Sequence, residues 1–256
     1  MIDEAAAGSR SEQSPWMSNP IVELRQYTLL PGQRDVLIDI FERNFIEGQE
    51  AVGMEVIDHF RDLDDPDRFV WLRGFPDMPE RARATTAFYD GAVWQENRDA
   101  ANATLVDHEN VLLLRPASPT AGNPIDHHLP AVAPEVPACL VVATIYHLVP
   151  SREDEFPAFF ARAVAPALTG AGATILAAYA TEHSPNNYPR LAIREGEHVF
   201  VWVASFADGE AYERHLAALA RSPGWRDNII TELAHRTEGS QEVLRLEPTA
   251  RSRTRA

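Results

Sequence analysis

Apolar and β-branched positions alternate with polar ones over residues 21–29 and stop at Pro31-Gly32, a pattern that predicts a strand and its turn. Over 34–47, Leu37, Phe41 and Phe45 recur at every fourth position, the apolar stripe of a helix. Strands are expected near 54–61 and 68–75, parted by the turn-rich Asp62–Asp67. Asp77 reads as an N-cap, with Pro79 in the first turn of a helix reaching about Phe88. Asp90-Gly91 breaks that helix, a second helical piece covers Trp94 to Leu105, and Val111–Leu114 closes the unit as a strand.

The same order then returns. VELRQYTLLP (Val22–Pro31) aligns with VVATIYHLVP (Val141–Pro150), so that Tyr27 falls on Tyr146, Pro31 on Pro150 and Gly53 on Gly172, all 119 residues apart. FVWL at Phe69–Leu72 aligns with FVWV at Phe200–Val203, now 131 residues apart. Phe75/Phe206, Asp77/Asp208 and Trp94/Trp225 keep that second spacing. The second copy thus carries about twelve extra residues between its second and third strands, within His183–Glu197. Its first helix has the stripe Phe156, Phe160, Val164 and Leu168, and Pro166 is expected to end or kink it.

A repeated β-α-β-β-α-β order is the ferredoxin-like split βαβ arrangement. The fold class is therefore α+β: two tandem ferredoxin-like βαββαβ repeats whose antiparallel sheets face each other as an intrachain barrel. The sheet face left bare by the helices of one copy is covered by the other copy. The expected organisation is a disordered tail (1–18), a first repeat (19–117), a proline-rich linker (118–137), a second repeat (138–248) and a disordered tail (249–256). Met17, opening MSNPIVELRQY, is a candidate translation start.

Charge and composition narrow the function. A formal net charge of −15 argues against nucleic acid and anionic membrane as partners. No apolar run is long enough to span a bilayer, and no secretory signal opens the chain. The single cysteine, Cys139, sits in an apolar strand, reads as a buried hydrophobe, and suits a reducing, cytoplasmic setting. Neither a Gly-x-Gly-x-x-Gly turn, a phosphate-binding Gly-rich loop nor a Gly-x-Ser-x-Gly elbow is present.

The opening ELRQYTLLPGQ (Glu23–Gln33), with the aromatic strand and Arg-rich helix of FVWLRGFPDMPERARATTAFYDGAVW (Phe69–Trp94), resembles the NIPSNAP family. Copy two keeps Tyr146, Pro150, the FVWV strand and Trp225 but replaces Glu23 and Arg25 by Val142 and Thr144. The resemblance implies the dimeric α+β barrel superfamily. Its members include cofactor-free monooxygenases, lyases, isomerases and heme-binding enzymes, several acting on aromatic or polyketide-like compounds.

On the first strand Glu23, Arg25 and Tyr27 share one face. The expectation is that this face looks into the interior shared by the two sheets, while Val22 and Leu24 pack under the helices. Arg25 would then bind a carboxylate, phenolate or enolate, and Tyr27 would donate a proton. Alternatively Arg25 and Glu23 form a pair bridging strands, with Tyr27 as core. Among nine histidines, His59 is the candidate general base and His147 a second strand histidine. None forms a local metal motif, so no metal site is assigned, though one assembled across strands stays open, as does heme. Trp71, Tyr146 and Trp202 are candidate apolar walls. The insertion HSPNNYPRLAIREGE, with Asn187, Tyr188, Arg190 and Arg194, reads as a polar lid or rim, or else as a subunit-contact arm. Two functions follow. One is a small-molecule enzyme without organic cofactor, using proton transfer to start oxygenation, elimination or isomerisation. The other is a non-catalytic ligand-binding or scaffold protein. In both a homo-oligomer is expected.

Overall fold

The computed structural model describes residues 19–117 and 139–254. The N-terminal tail (1–18) with Met17 and the whole of the linker (118–137) lie outside the described residues. The first copy runs β1 (Ile21–Leu29), a helix α1 in three parts (Arg34–Ile40, the π turn Phe41–Phe45, Ile46–Glu50), β2 (Glu55–Asp62), β3 (Arg68–Phe75), α2 (Met78–Asp90), α3 (Ala92–Asn102) and β4 (Leu105–Pro116). The second runs β5 (Leu140–His147), the 3-10 turn Pro150–Arg152, and α4 (Phe156–Phe159, the π turn Phe160–Val164, Ala165–Gly170). It continues through β6 (Thr174–Thr181), β7 (Val199–Phe206), α5 (Gly209–Arg221), α6 (the π turn Gly224–Ile229, then Ile230–Ala234) and β8 (Glu242–Pro248).

The eight strands close into one antiparallel barrel in the order β1-β3-β2-β8-β5-β7-β6-β4. Each copy's last strand completes the other copy's sheet. β4 pairs with β6 through Leu114/Thr181, and β8 with β2 through Phe60/Pro248. Closure leaves no strand edge open, which answers the hazard of unpaired N–H and C=O groups. Among the described residues no helix is long and apolar enough to cross a membrane.

The duplication extends to local detail. Asp77 and Asp208 both cap their helices, accepting the N–H of Glu80 and Ala211 at 2.7 Å. Gly53 and Gly172 both take a positive φ (95° and 103°) just past the first helix, a conformation that a side chain would strain. The π turns at Phe41 and Phe160 also lie 119 residues apart. Pro166 therefore does not end its helix: the wider π turn precedes it and the chain continues helical to Gly170. Copy one has the same π turn with no proline, so the proline is not its cause. Strand β4 begins at Leu105, earlier than the sequence pattern suggested, and α3 stops at Asn102.

The barrel interior is apolar and mostly aliphatic, filled from both copies by residues such as Val22, Leu24, Ile57, Val141, Ile145 and Val201, with Phe60 and Tyr179 among them. Two further cores lie outside the barrel, under the helices of each copy. Here the face assignment made from β1 is corrected. Val22 and Leu24 point into the barrel, and Ile21, Leu29 and Tyr27 belong to the core beneath α1–α3. The polar face is turned toward the helices because two facing sheets exclude water more completely than a helix layer that can carry polar partners of its own. Residues 249–254, assigned from sequence to a disordered tail, instead dock on β2, with Thr249, Ser252, Arg253 and Thr254 buried.

Candidate active site

Register places the charged residues of copy one in a row. Glu23 lies opposite Arg73, Arg25 opposite Trp71, and Tyr27 opposite Phe69 on the β1–β3 pair. The Glu23 carboxylate accepts from Arg25 Nη1 (2.5 Å), from Arg73 Nε (2.8 Å) and, on its other oxygen, from Arg81 Nε of α2 (2.7 Å). All four side chains are fully buried. Burial works against the Glu23 charge, but the three guanidinium groups outweigh it and hold the carboxyl far below the usual range. One carboxylate against three arginines leaves a surplus of two positive charges. One Nη2 on each of Arg25, Arg73 and Arg81 has no hydrogen-bond partner.

An aromatic wall stands between this cluster and a cavity. The Arg25 guanidinium lies 5.3 Å from the Tyr27 ring and 5.4 Å from that of Trp71, which Arg73 also approaches at 5.4 Å. Arg25 Nε donates to the Tyr27 hydroxyl at 3.1 Å. Because that oxygen already accepts a hydrogen bond from a cation, its own proton is polarised for donation elsewhere. Burial raises the Tyr27 pKa despite the opposing pull of Arg25, so the phenol stays neutral at ordinary pH.

The cavity encloses about 60 Å³ and is bounded by Tyr27, Phe41, Trp71, Tyr89, His108 and Leu191, with Gln49 and Asn102 as further polar groups. It sits between the outer face of the sheet and α1, α2 and α3, beside the π turn of α1. Such turns recur at functional sites. His108 reaches it through a β-bulge: the β1–β4 register slips between Gln26/Asn110 and Thr28/Asp107. Its ring lies 6.2 Å from that of Tyr27, and its buried Nδ1 has no partner. The enclosed space suits one or two waters, at roughly 30 Å³ each. Heme does not fit it as it stands.

The insertion forms part of the wall of this cavity. Leu191 lines it, and Tyr188, buried, stacks on Tyr89 at 6.0 Å. Asn187 Oδ1 and Asn186 Oδ1 accept from Arg81 Nη1 at 2.7 and 3.2 Å, while Asn187 Nδ2 donates to the Met78 carbonyl. The loop of copy two thus engages the charged cluster of copy one. Arg190 lies outside, exposed and paired with Asp90. Arg194 is tied to Glu197 and Asn110.

Other residues singled out from the sequence lie elsewhere. His59 is fully buried, but its Nε2 pairs with Glu42 at 3.1 Å under the docked C-terminal residues, and it does not line the cavity. His147 pairs with Glu242 near the surface. Tyr146 and Trp202 line a separate, more open space of about 380 Å³ beneath the helices of copy two. That space lacks the charged cluster. At the positions of Glu23, Arg25, Arg73 and Arg81 stand Val142, Thr144, Ala204 and Tyr212. Arg73, Arg81 and His108 were not singled out from the sequence. The loss of all four charges from one copy is the signal that marks the first two.

Comparisons with known proteins bear on the fold. The NIPSNAP family model matches residues 22–119. Comparison with curated proteins finds no match. Among solved structures, a proposed monooxygenase from Lactobacillus acidophilus superposes with a TM-score of 0.55 at 14% identity, covering 92% of this chain and 95% of its own. A second proposed monooxygenase, from Fusobacterium nucleatum, gives 0.54 at 10% identity, covering 90% and 92%. An anthrone oxidase-like protein gives 0.60 at 12% identity, covering 91% and 93%. At these identities the likeness is one of fold, and it spans both repeats. The match to the NIPSNAP model thus covers the first repeat, and the second half repeats the same order of elements within one barrel.

Proposed function

We propose that the protein is a small-molecule enzyme whose single active site is the cavity of copy one, where an acidic C–H or O–H of a planar carbonyl or phenolic compound is deprotonated. The observation that carries this reading is the buried cluster Glu23–Arg25–Arg73–Arg81, with its surplus of positive charge behind Tyr27. A preorganised cationic field stabilises an enolate or phenolate as its charge develops, most strongly where water is excluded. Tyr27 is the donor to the oxyanion, and His108, with its unpartnered Nδ1, is the base. Oxygenation of the resulting carbanion is the favoured outcome, since the structures sharing this fold across both repeats include proposed monooxygenases and an anthrone oxidase-like protein. An engineered cavity of roughly 150 Å³ accepts benzene in another protein. An aromatic substrate therefore requires the Leu191 segment to move outward from a cavity of about 60 Å³.

The test is oxygen uptake with a panel of anthrones and enolisable phenolic ketones, repeated with Tyr27→Phe and His108→Gln. Uptake with product, lost in both variants while folding is kept, upholds the reading. Stoichiometric binding without turnover would instead favour the second reading, a ligand-binding protein.

A further inference from the structure

A second cluster of titratable groups lies far from the charged row, at the base of the insertion. Glu153 follows the 3-10 turn Pro150–Arg152 at the entry to α4, His183 opens the segment after β6, and His198 immediately precedes β7. Glu153 Oε1 accepts from His183 Nε2 at 2.7 Å, its Oε2 pairs with His198 Nδ1 at 2.5 Å, and the two rings are 5.3 Å apart. One donor atom from each residue lies within 4.8 Å of the other two. Two imidazoles and a carboxylate are a ligand set that a zinc-class ion gathers; with bonds of about 2.0–2.2 Å its donors stand roughly 3.4 Å apart, so small side-chain adjustments bring this trio around one ion.

Burial and framework support a cation there. The Glu153 side chain is 9% exposed, and its ion-pair partners among the described residues are these two imidazoles, with no arginine. The imidazoles open to solvent at 48% and 34%, which leaves an entry path and a free coordination position. The framework is held independently of the cluster: Leu148 N–H donates to the His198 carbonyl at 2.7 Å, and Val199 N–H to Thr181 Oγ1 at 2.8 Å.

The pseudo-symmetric position in copy one gives a separate argument. Glu153 corresponds to Arg34, 119 residues earlier. Arg34 Nη1 donates to the carbonyls of Asp62 and Asp65, so a guanidinium ties the first helix to the short β2–β3 connection. In copy two the cation is replaced by an acid, and the longer connection brings two histidines to it. We propose that Glu153, His183 and His198 bind one divalent transition-metal ion of the zinc class, which fastens the base of the 183–197 segment to the start of α4. The ion takes over the fastening that Arg34 performs in copy one. Borderline ligands of this kind favour zinc, cobalt or nickel over calcium or magnesium.

The test uses the full chain stripped by chelator and titrated with Co²⁺, followed by Zn²⁺ competition, with bound metal counted after gel filtration. The expected result is one Co²⁺ per chain with a visible absorption band, displaced by one Zn²⁺, and a higher melting temperature with zinc. His183→Ala and His198→Ala, each checked for folding by circular dichroism, are expected to weaken binding at least about tenfold. His127→Ala/His128→Ala, in the linker, is expected to leave it unchanged. No saturable binding to folded wild type overturns the proposal, and so does binding that survives in both His183→Ala and His198→Ala. Binding lost only in the linker variant does the same.

Discussion

Glu23 and Arg73 face each other across β1 and β3, carboxylate to Nε at 2.8 Å, with neither side chain reached by solvent. Among the described residues Glu23 is the one acid paired with the cluster's three arginines. Glu23→Gln should therefore cost about 3–5 kcal/mol in urea unfolding, the range for breaking a buried ion pair from one side. The copy-two set, Glu23→Val with Arg25→Thr, Arg73→Ala and Arg81→Tyr, should be less destabilised than Glu23→Val alone. A quadruple variant weaker than the single one would contradict this account of the cluster.

Tyr27→Phe separates chemistry from stability. The lost hydroxyl accepts from Arg25 at 3.1 Å, on a residue that lines the cavity. Stability should fall by only about 1 kcal/mol. On a substrate found by oxygen uptake, kcat/KM should fall about 100-fold, the lower end for a positioned proton donor. A loss of stability alone, with turnover intact, would return Tyr27 to a packing role.

Acid should weaken the fold through Glu42. Burial pushes its carboxyl up, but hydrogen bonds from His59, Thr249 Oγ1 and the Arg251 N–H prevail and hold it near 2, against an ordinary value of 4.5. A folded value below the unfolded one means its contribution is complete above about pH 4.5 and is lost as pH falls toward 2. Thr249→Val should cost about 1 kcal/mol at pH 7 and progressively less in that acid window, read from urea curves at each pH.

The docked C-terminal residues make a related prediction. The fully buried Asp58 carboxylate accepts the N–H groups of His59, Arg253 and Thr254 at 2.9–3.0 Å. Deleting 249–256 removes two of these donors and uncovers His59. A loss of about 2–4 kcal/mol is expected, on the order of 1–3 for each stranded polar interaction. An unchanged melting temperature would show that the segment adds nothing to the fold.

The insertion contains neighbours of opposite consequence. Asn187 holds Arg81 and the Met78 carbonyl, whereas Arg190 reaches the exposed Asp90 and lies 5.7 Å from the Tyr188 ring. Asn187→Ala should lower stability by about 1–2 kcal/mol and speed exchange of amides in the 183–197 segment. Arg190→Ala should stay within about 0.5 kcal/mol of wild type and leave any ligand binding intact. A large effect at Arg190 would restore it to the rim of the site.

The sequence by itself determined the duplication, the order of elements and the α+β class, because periods of two and near four survive in linear order and the repeat displays them twice. It also showed that Glu23, Arg25 and Tyr27 share a face. It could not say which face, because both sides of this sheet are buried, one in the barrel and one beneath the helices, so alternation marks two apolar surfaces rather than an inside and an outside. Only the tertiary structure joined Arg73 and Arg81 to Glu23 across 50 and 58 residues. It also swung His108 in through a bulge that breaks the period and placed Glu153, His183 and His198 together. These groupings depend on strand register and loop path, which are set by long-range packing and leave no local pattern to read.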